Sequence, residues 1–267
     1  MKDKRILITG AAGSIGSEIA RQLAADNKLY VIDFNESSLY DLMLDLGIPG
    51  RVADIRDKTT VHDVFSDFKP EVVFHAAAYK CVNMMEATPM EAISTNIVGT
   101  HNLLDEASRW ECVEKFVFIS SDKAINANSV MGQTKKFGET LVRSRGKGFV
   151  SVRFGNVMGS RGSLLTIWER QKKADKPLTI TDERMTRYFM SIPDAVRLVL
   201  RAAEEDEGVV ILDMGEKKSV LKLKEELYGD YPHEVIGIRP GETLDEKLMT
   251  TEEEATAIKS GAFYIIK

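Results

Sequence analysis

Cysteine is nearly absent from this chain of 267 residues, and Cys81 and Cys112 are the only two. That scarcity excludes a disulfide framework, leaves no cysteine cluster to ligate a metal, and suits a reducing compartment. Long apolar runs are missing too. None reaches the ~18 residues that a transmembrane helix requires, so no membrane span is expected. The opening "MKDKRILITG" passes from charge straight into a short strand, without the apolar stretch of a signal peptide. A cytoplasmic location is the resulting expectation. Positive charge is not in excess either. With a net charge of −5, the chain has little with which to neutralise phosphates, and nucleic acid is not an expected partner.

What is present is 43% hydrophobic and 29% charged residues, enough for a sizeable core in one domain with a subsidiary lobe. Short apolar runs alternate with amphipathic stretches. "RILIT" precedes a helical pattern from Ser14 to Leu23, and "LYVID" one from Glu36 to Leu46. "GRVADI" leads to a helix near Thr59 to Phe68, "EVVFHAAA" to a longer one from Pro89 to Trp110, and "KFVFISS" to one from Met131 to Arg143. This alternation implies βαβ units and an α/β fold of Rossmann type, a doubly wound parallel sheet. After Asn156 the rhythm breaks into loop-rich segments, then returns with a helix from Pro193 to Glu204 and the strand "GVVILDMG". The expected division is a dinucleotide-binding domain of residues 1–155 and 191–215. Residues 156–190 and 216–267, with a helix expected at Thr251 to Ser260, form a smaller, mainly C-terminal lobe.

"ITGAAGSIGSEIA" sets Gly10, Gly13 and Gly16, with Ser14 and Ile15 between them, at the first strand–helix junction. Glycines there permit a tight turn and close approach to a pyrophosphate, and the helix start offers N–H donors. Asp33 ends the second strand, where a carboxylate accepts hydrogen bonds from ribose hydroxyls and repels a 2′-phosphate. NAD is therefore expected rather than NADP, although an aspartate at this point also caps turns. Asp54 and Ile55 would flank the adenine, with Asp54 accepting its amino hydrogens. Ala76, Ala77 and Ala78 keep the fourth strand's end slim enough for a cofactor to lie across it.

"FVFISSDKAINANSVMGQTKK" raises a question. Short-chain dehydrogenases place a tyrosine four residues before a lysine, and the residue at that spacing from Lys135 is Met131, whose thioether moves no proton. Ser121, Asp122 and Lys123 leave the fifth strand together at the sheet end where α/β folds bind ligands, although serines and aspartates there also cap turns.

Together with "HAAAYKCVNMMEATPMEAISTNIVGT", "VRFGNVMGSRGS", "MTRYFMSIPDAV" and "IRPGETLDEKL", that segment resembles one family from Ile6 to about Met249. It is the polysaccharide-biosynthesis branch of the extended short-chain dehydrogenases, the UDP-N-acetylglucosamine 4,6-dehydratases. One branch of these carries methionine at the tyrosine position. The resemblance implies bound NAD and a UDP-sugar substrate, with Lys123 as the base at C5, Asp122 as the acid at C6 and Lys135 on the nicotinamide ribose. Lys123 would then need a lowered pKa, from Lys135, the nicotinamide and desolvation, and Asp122 would have to start protonated. The base for the C4 hydroxyl stays open among Ser121 through a water, Lys123 and Asp122. For substrate, the resemblance implies Asn156 and Arg239 on the diphosphate and Lys80 and Glu242 at the pocket. Arg161 and Arg187, set in glycine-rich or polar sequence, are read from their own chemistry as further cations for phosphate, or as surface salt-bridge partners. The resemblance also implies a homo-oligomer assembled through the helices of Pro89–Trp110 and Met131–Arg143. The chain departs from the family pattern at Cys81, Asn83 and Asn128. Two other readings compete: a UDP-sugar 4-epimerase, and a non-catalytic NAD-binding sensor or scaffold.

Overall fold

A computed structural model describes all residues, 1–267. Nine strands make the main sheet: β1 (Arg5–Thr9), β2 (Lys28–Asp33), β3 (Gly50–Val52), β4 (Val72–His75), β5 (Lys115–Ile119), β6 (Phe149–Arg153), β7 (Gly208–Leu212), β8 (Ile258–Ser260) and β9 (Phe263–Ile266). Their order is β8-β9-β7-β6-β5-β4-β1-β2-β3. Strands β1 to β7 run parallel, and β9 and β8 close one edge as an antiparallel hairpin. The central strands are continuous runs such as "VVFH" and "FVSVR", buried along their whole length, as strands covered on both faces must be.

Helices α1 (Ser14–Leu23), α2 (Glu36–Leu46) and Ile192–Ala202 bring Ile19, Leu39, Leu42, Val196 and Val199 to one face. Helices α3 (Lys58–Phe68), α4 (Thr100–Arg109) and α5 (Val130–Arg143) bring Val64, Phe65, Leu103, Leu104 and Val142 to the other. The doubly wound Rossmann sheet is therefore as expected.

Three details differ from the sequence reading. The helix expected from Pro89 to Trp110 is interrupted, with Pro89–Ala92 followed by a π-helical stretch, Ile93–Gly99, before α4 begins. Within that wider stretch the buried Asn96 bonds the Tyr79 N–H and carbonyl and the Thr134 hydroxyl. The loop-rich lobe contains two unforeseen helices, Leu164–Lys173 and Val220–Tyr228. Trp168, Leu178, Ile180, Met185, Val220 and Leu223 form its own small core. Lastly, residues 216–267 do not all belong to the lobe. The expected helix at Thr251–Ser260 ends at Thr256, and β8 and β9 join the main sheet. The cause is apolar: Ile266 packs with Val209, Ile211 and Leu248.

Candidate active site

The turn between β1 and α1 is built around two close approaches. Gly10 has φ +66°, and a Cβ there would lie 2.5 Å from the Ala77 nitrogen. A Cβ on Gly16 would lie 2.3 Å from the Gly10 carbonyl oxygen. Gly13 caps α1 without a side-chain hydrogen bond, so no side chain covers the first N–H groups of the helix. Above this turn runs a groove of about 820 Å³, lined by Gly10, Gly13, Asp33, Asp54, Ile55, Ala76, Ala77 and Ala78. Ser14 and Ile15 open α1 just beneath it, and the Ser14 hydroxyl accepts the Arg161 N–H at 3.0 Å.

Asp33 combines both sequence readings. Its Oδ2 accepts the Ala12 N–H and its Oδ1 the Asn35 N–H, each at 2.9 Å. The carboxylate is thus fixed in the groove wall, with acceptor capacity remaining on each oxygen. Asp54 is not the open acceptor expected of it. Arg56 grips it in a fork of 2.6–3.0 Å, holds its carboxyl below the usual range, and also reaches Glu91 at 2.9 Å. Arg56 lines the groove, as do Phe34 and Tyr79, an edge-to-face aromatic pair 6.5 Å apart. The sequence reading missed all three residues.

At the end of β5, Ser121 caps a short 3₁₀ turn, Asp122–Ala124, by accepting the Lys123 N–H. Its hydroxyl donates to Asp122 Oδ1 at 2.8 Å. Lys123 Nζ donates to Asp122 Oδ1 at 3.1 Å, to Asn156 Oδ1 at 3.2 Å and to Glu246 Oε2 at 3.2 Å. Burial opposes the Lys123 charge, but the Asp122 and Glu246 carboxyls outweigh it and raise the pKa. Burial works to raise Asp122, yet the Lys123 ammonium, the neighbouring Glu246 carboxyl and the Ser121 hydroxyl hold its carboxyl below the usual range. The expected protonation states are therefore reversed at rest, with Lys123 an ammonium and Asp122 a carboxylate. The cation that interacts with Lys123 is Lys80, not Lys135. Lys80 is lowered chiefly by burial, with the Lys123 charge adding to it.

Met131 is buried with Met85 and Ala92, and Tyr79 of the groove wall packs against the same cluster. Lys135 is buried below β5, where Nζ donates to the Ile119 carbonyl at 2.7 Å and sits 4.8 Å from the Phe118 ring. Burial lowers it to about 8.

The expected substrate residues fall into separate groups. Asn156 is tied to Lys123, and Lys80 donates to the Ser160 hydroxyl at 3.2 Å. Arg161 lines the dinucleotide groove instead of the lobe. Arg187 is not a free fork for phosphate. It is buried, donates to the carbonyls of Thr186, Thr243 and Leu244, and meets Glu246 at 3.3 Å. Arg239 and Glu242 are paired at 2.5 Å. A small cleft lined by no hydrophobic residue joins the strand end to the lobe, with Asp122, Lys123, Asn126, Asn128, Thr243 and Glu246 among its walls.

Strand order, glycine turn and charged strand end define a dinucleotide-binding protein of the extended short-chain dehydrogenase type. More particularly, the chain belongs to the polysaccharide biosynthesis protein family, which matches residues 6–267. It is 42% identical over 278 residues to the capsular polysaccharide biosynthesis protein CapD of Staphylococcus aureus, covering 95% of this chain and 46% of CapD. The chain thus spans about half the length of that relative. It is 35% identical over 285 residues to the UDP-glucose 4-epimerase of Rickettsia felis, covering 99% of this chain and 83% of that protein. Among solved structures, Pen from Bacillus thuringiensis superimposes with a TM-score of 0.92 at 35% identity, covering 99% of this chain and 88% of Pen. The UDP-glucose 4-epimerase of Thermus thermophilus, solved in complex with NAD, gives 0.78 at 26% identity, covering 92% of this chain and 90% of that one. No helix is long and apolar enough to cross a membrane.

Proposed function

We propose that this chain catalyses the NAD-dependent 4,6-dehydration of a UDP-N-acetylhexosamine, UDP-N-acetylglucosamine in the first instance, to a 4-keto-6-deoxy sugar for glycan biosynthesis. The carrying observation is the Asp122–Lys123–Glu246 cluster, in which both carboxyls are buried, a set of proton-exchanging groups larger than hydride transfer alone requires. The groove fits a dinucleotide: Gly10 leaves room that a Cβ would fill, and Asp33 is fixed to accept ribose hydroxyls. That carboxylate supports NAD over NADP. Gly13 and α1 would hold the pyrophosphate, with Arg161 above it, and Lys135 the nicotinamide ribose. When bound, NAD supplies the place where the C4 hydride rests before it returns to C6.

The chain's own residues do the rest. Burial and the charge of an oxidised nicotinamide, present before the hydride moves, favour release of the Lys123 ammonium proton to solvent, and the neutral amine then takes the C5 proton. Asp122 protonates the departing C6 oxygen. Asn156 orients Lys123, while Lys80 and the Arg239–Glu242 pair bound the side on which a diphosphate would enter. Assembly as a homo-oligomer would use the helices that expose Met90, Val98 and Phe137.

A second reading, UDP-sugar 4-epimerisation, draws support from the identity to the Rickettsia felis epimerase. Incubation with UDP-N-acetylglucosamine in deuterated water, followed by proton NMR, separates the two. A 4-keto-6-deoxy product carrying deuterium at C5 is expected, and a C4 epimer without loss of water would overturn the dehydratase reading.

A further inference from the structure

Glu246 belongs to that cluster, but the steps just described give it no part. It arrives from the loop after Arg239, and its carboxylate bridges Lys123 at 3.1 Å and Arg187 at 3.3 Å. It also lies within hydrogen-bonding reach of Asp122. One observation stands against a cluster in which both carboxyls are ionised. Asp122 Oδ2 is buried and has no hydrogen-bond partner. A buried acceptor left without a partner is unfavourable, and a proton on the adjoining carboxyl would satisfy it. We infer that Asp122 and Glu246 share one proton, and that Glu246 is the positioning residue that keeps Asp122 supplied as the acid for the departing C6 oxygen. The role in catalysis rests on the proposed dehydration, but the shared proton does not.

The charges around Glu246 are consistent with this. Asp122 and Lys123 face it from the 3₁₀ turn and Arg187 from the lobe, while Asp245 and Lys247 flank it in its own loop, Asp245 paired with Lys217. Burial and the Asp122 charge push Glu246 up to about 7, against the pull of Lys123 and Arg187. In the elimination the C5–H bond breaks and its proton goes to Lys123. Its electron pair forms the C5–C6 double bond, and the C6–O bond breaks. The oxygen leaves as water with the one shared proton, which passes from Glu246 through Asp122 and leaves both carboxyls ionised. Glu246 is left as a carboxylate between Lys123 and Arg187, ready to be reprotonated. Because two coupled groups hold one proton, the titration belongs to the pair.

The test joins infrared spectroscopy of the resting protein to a pH profile. The wild-type protein should show a protonated-carboxyl C=O band that disappears as pH rises through about 7, and that band should be missing from Glu246→Gln. In turnover, wild-type kcat should fall as pH rises through the same region. Glu246→Gln should have kcat lowered roughly 10²-fold near neutrality, KM little changed, and its falling limb displaced to lower pH. A uniform loss of kcat at every pH with the limb in place would mark Glu246 as merely structural and overturn the relay. Absence of the infrared band from the wild-type protein would overturn the shared proton, whether or not the variant folds. A band present in wild-type protein that dehydrates no UDP-sugar would uphold the shared proton and overturn the proposed reaction.

Discussion

Two networks of buried charge lie at the ends of adjacent strands, and they are built very differently. Behind β6, Arg153 is fully buried and every arm of its guanidinium is used. Nε and one terminal nitrogen fork onto Glu139 at 2.9 and 2.6 Å, the other meets Glu253 at 2.8 Å, and the Leu248 carbonyl takes a further bond. Ser120 satisfies Glu139 from the other side. At the end of β5, by contrast, Lys123 is shared among three acceptors, Glu246 is pushed to neutrality, and one Asp122 oxygen has no partner. The same residue types give a clamp in one place and a set of mobile protons in the other. What separates them is satisfaction. A network with every partner in place resists change, whereas one with an unfilled acceptor retains a low-cost second arrangement.

The comparison is open to attack from both sides. Asp122→Asn should lower kcat by roughly 10³-fold while leaving the urea midpoint and NAD binding almost unchanged; equal loss of folding and activity would make the β5 network structural after all. Arg153→Met should do the reverse. It strands Glu139 in the interior, and the expected cost is about 3–5 kcal/mol, read from urea unfolding, with NAD affinity retained in whatever fraction folds. The smallest effect belongs to Met131→Leu. That side chain packs only with Met85, Ala92 and their neighbours, so the swap should cost under about 1.5 kcal/mol and leave turnover alone. A large fall in kcat with normal stability would return Met131 to the reaction.

Much of this arrangement is legible in the chain. The glycine turn, Asp33 and the Ser121–Lys123 segment are local patterns, and their chemistry follows from short spacings at strand ends. The less visible parts are contacts over long separations. Nothing in "RPGETLDEKL" marks Glu246 off from its charged neighbours, because its meaning comes from burial against residues of a different segment. Arg187 reads as a phosphate ligand in sequence, and only the backbone carbonyls wrapped around it show otherwise. Asp54 reads as an open acceptor because the pairing with Arg56 is a matter of rotamer as much as of spacing. The lobe helices were obscured by the glycine and proline clusters that flank them. The edge hairpin was missed because β8 and β9 follow directly on a helical segment.

Glu246 and Lys123 are separated by 123 positions. Most of the groove wall, from Gly10 to Tyr79, is translated early, and only Thr95 and Arg161 come later. During synthesis, therefore, the surface for the cofactor is encoded well before the last proton-bearing side chain leaves the ribosome. A chain that stops short of residue 246 has its nucleotide turn but not its full set of acids.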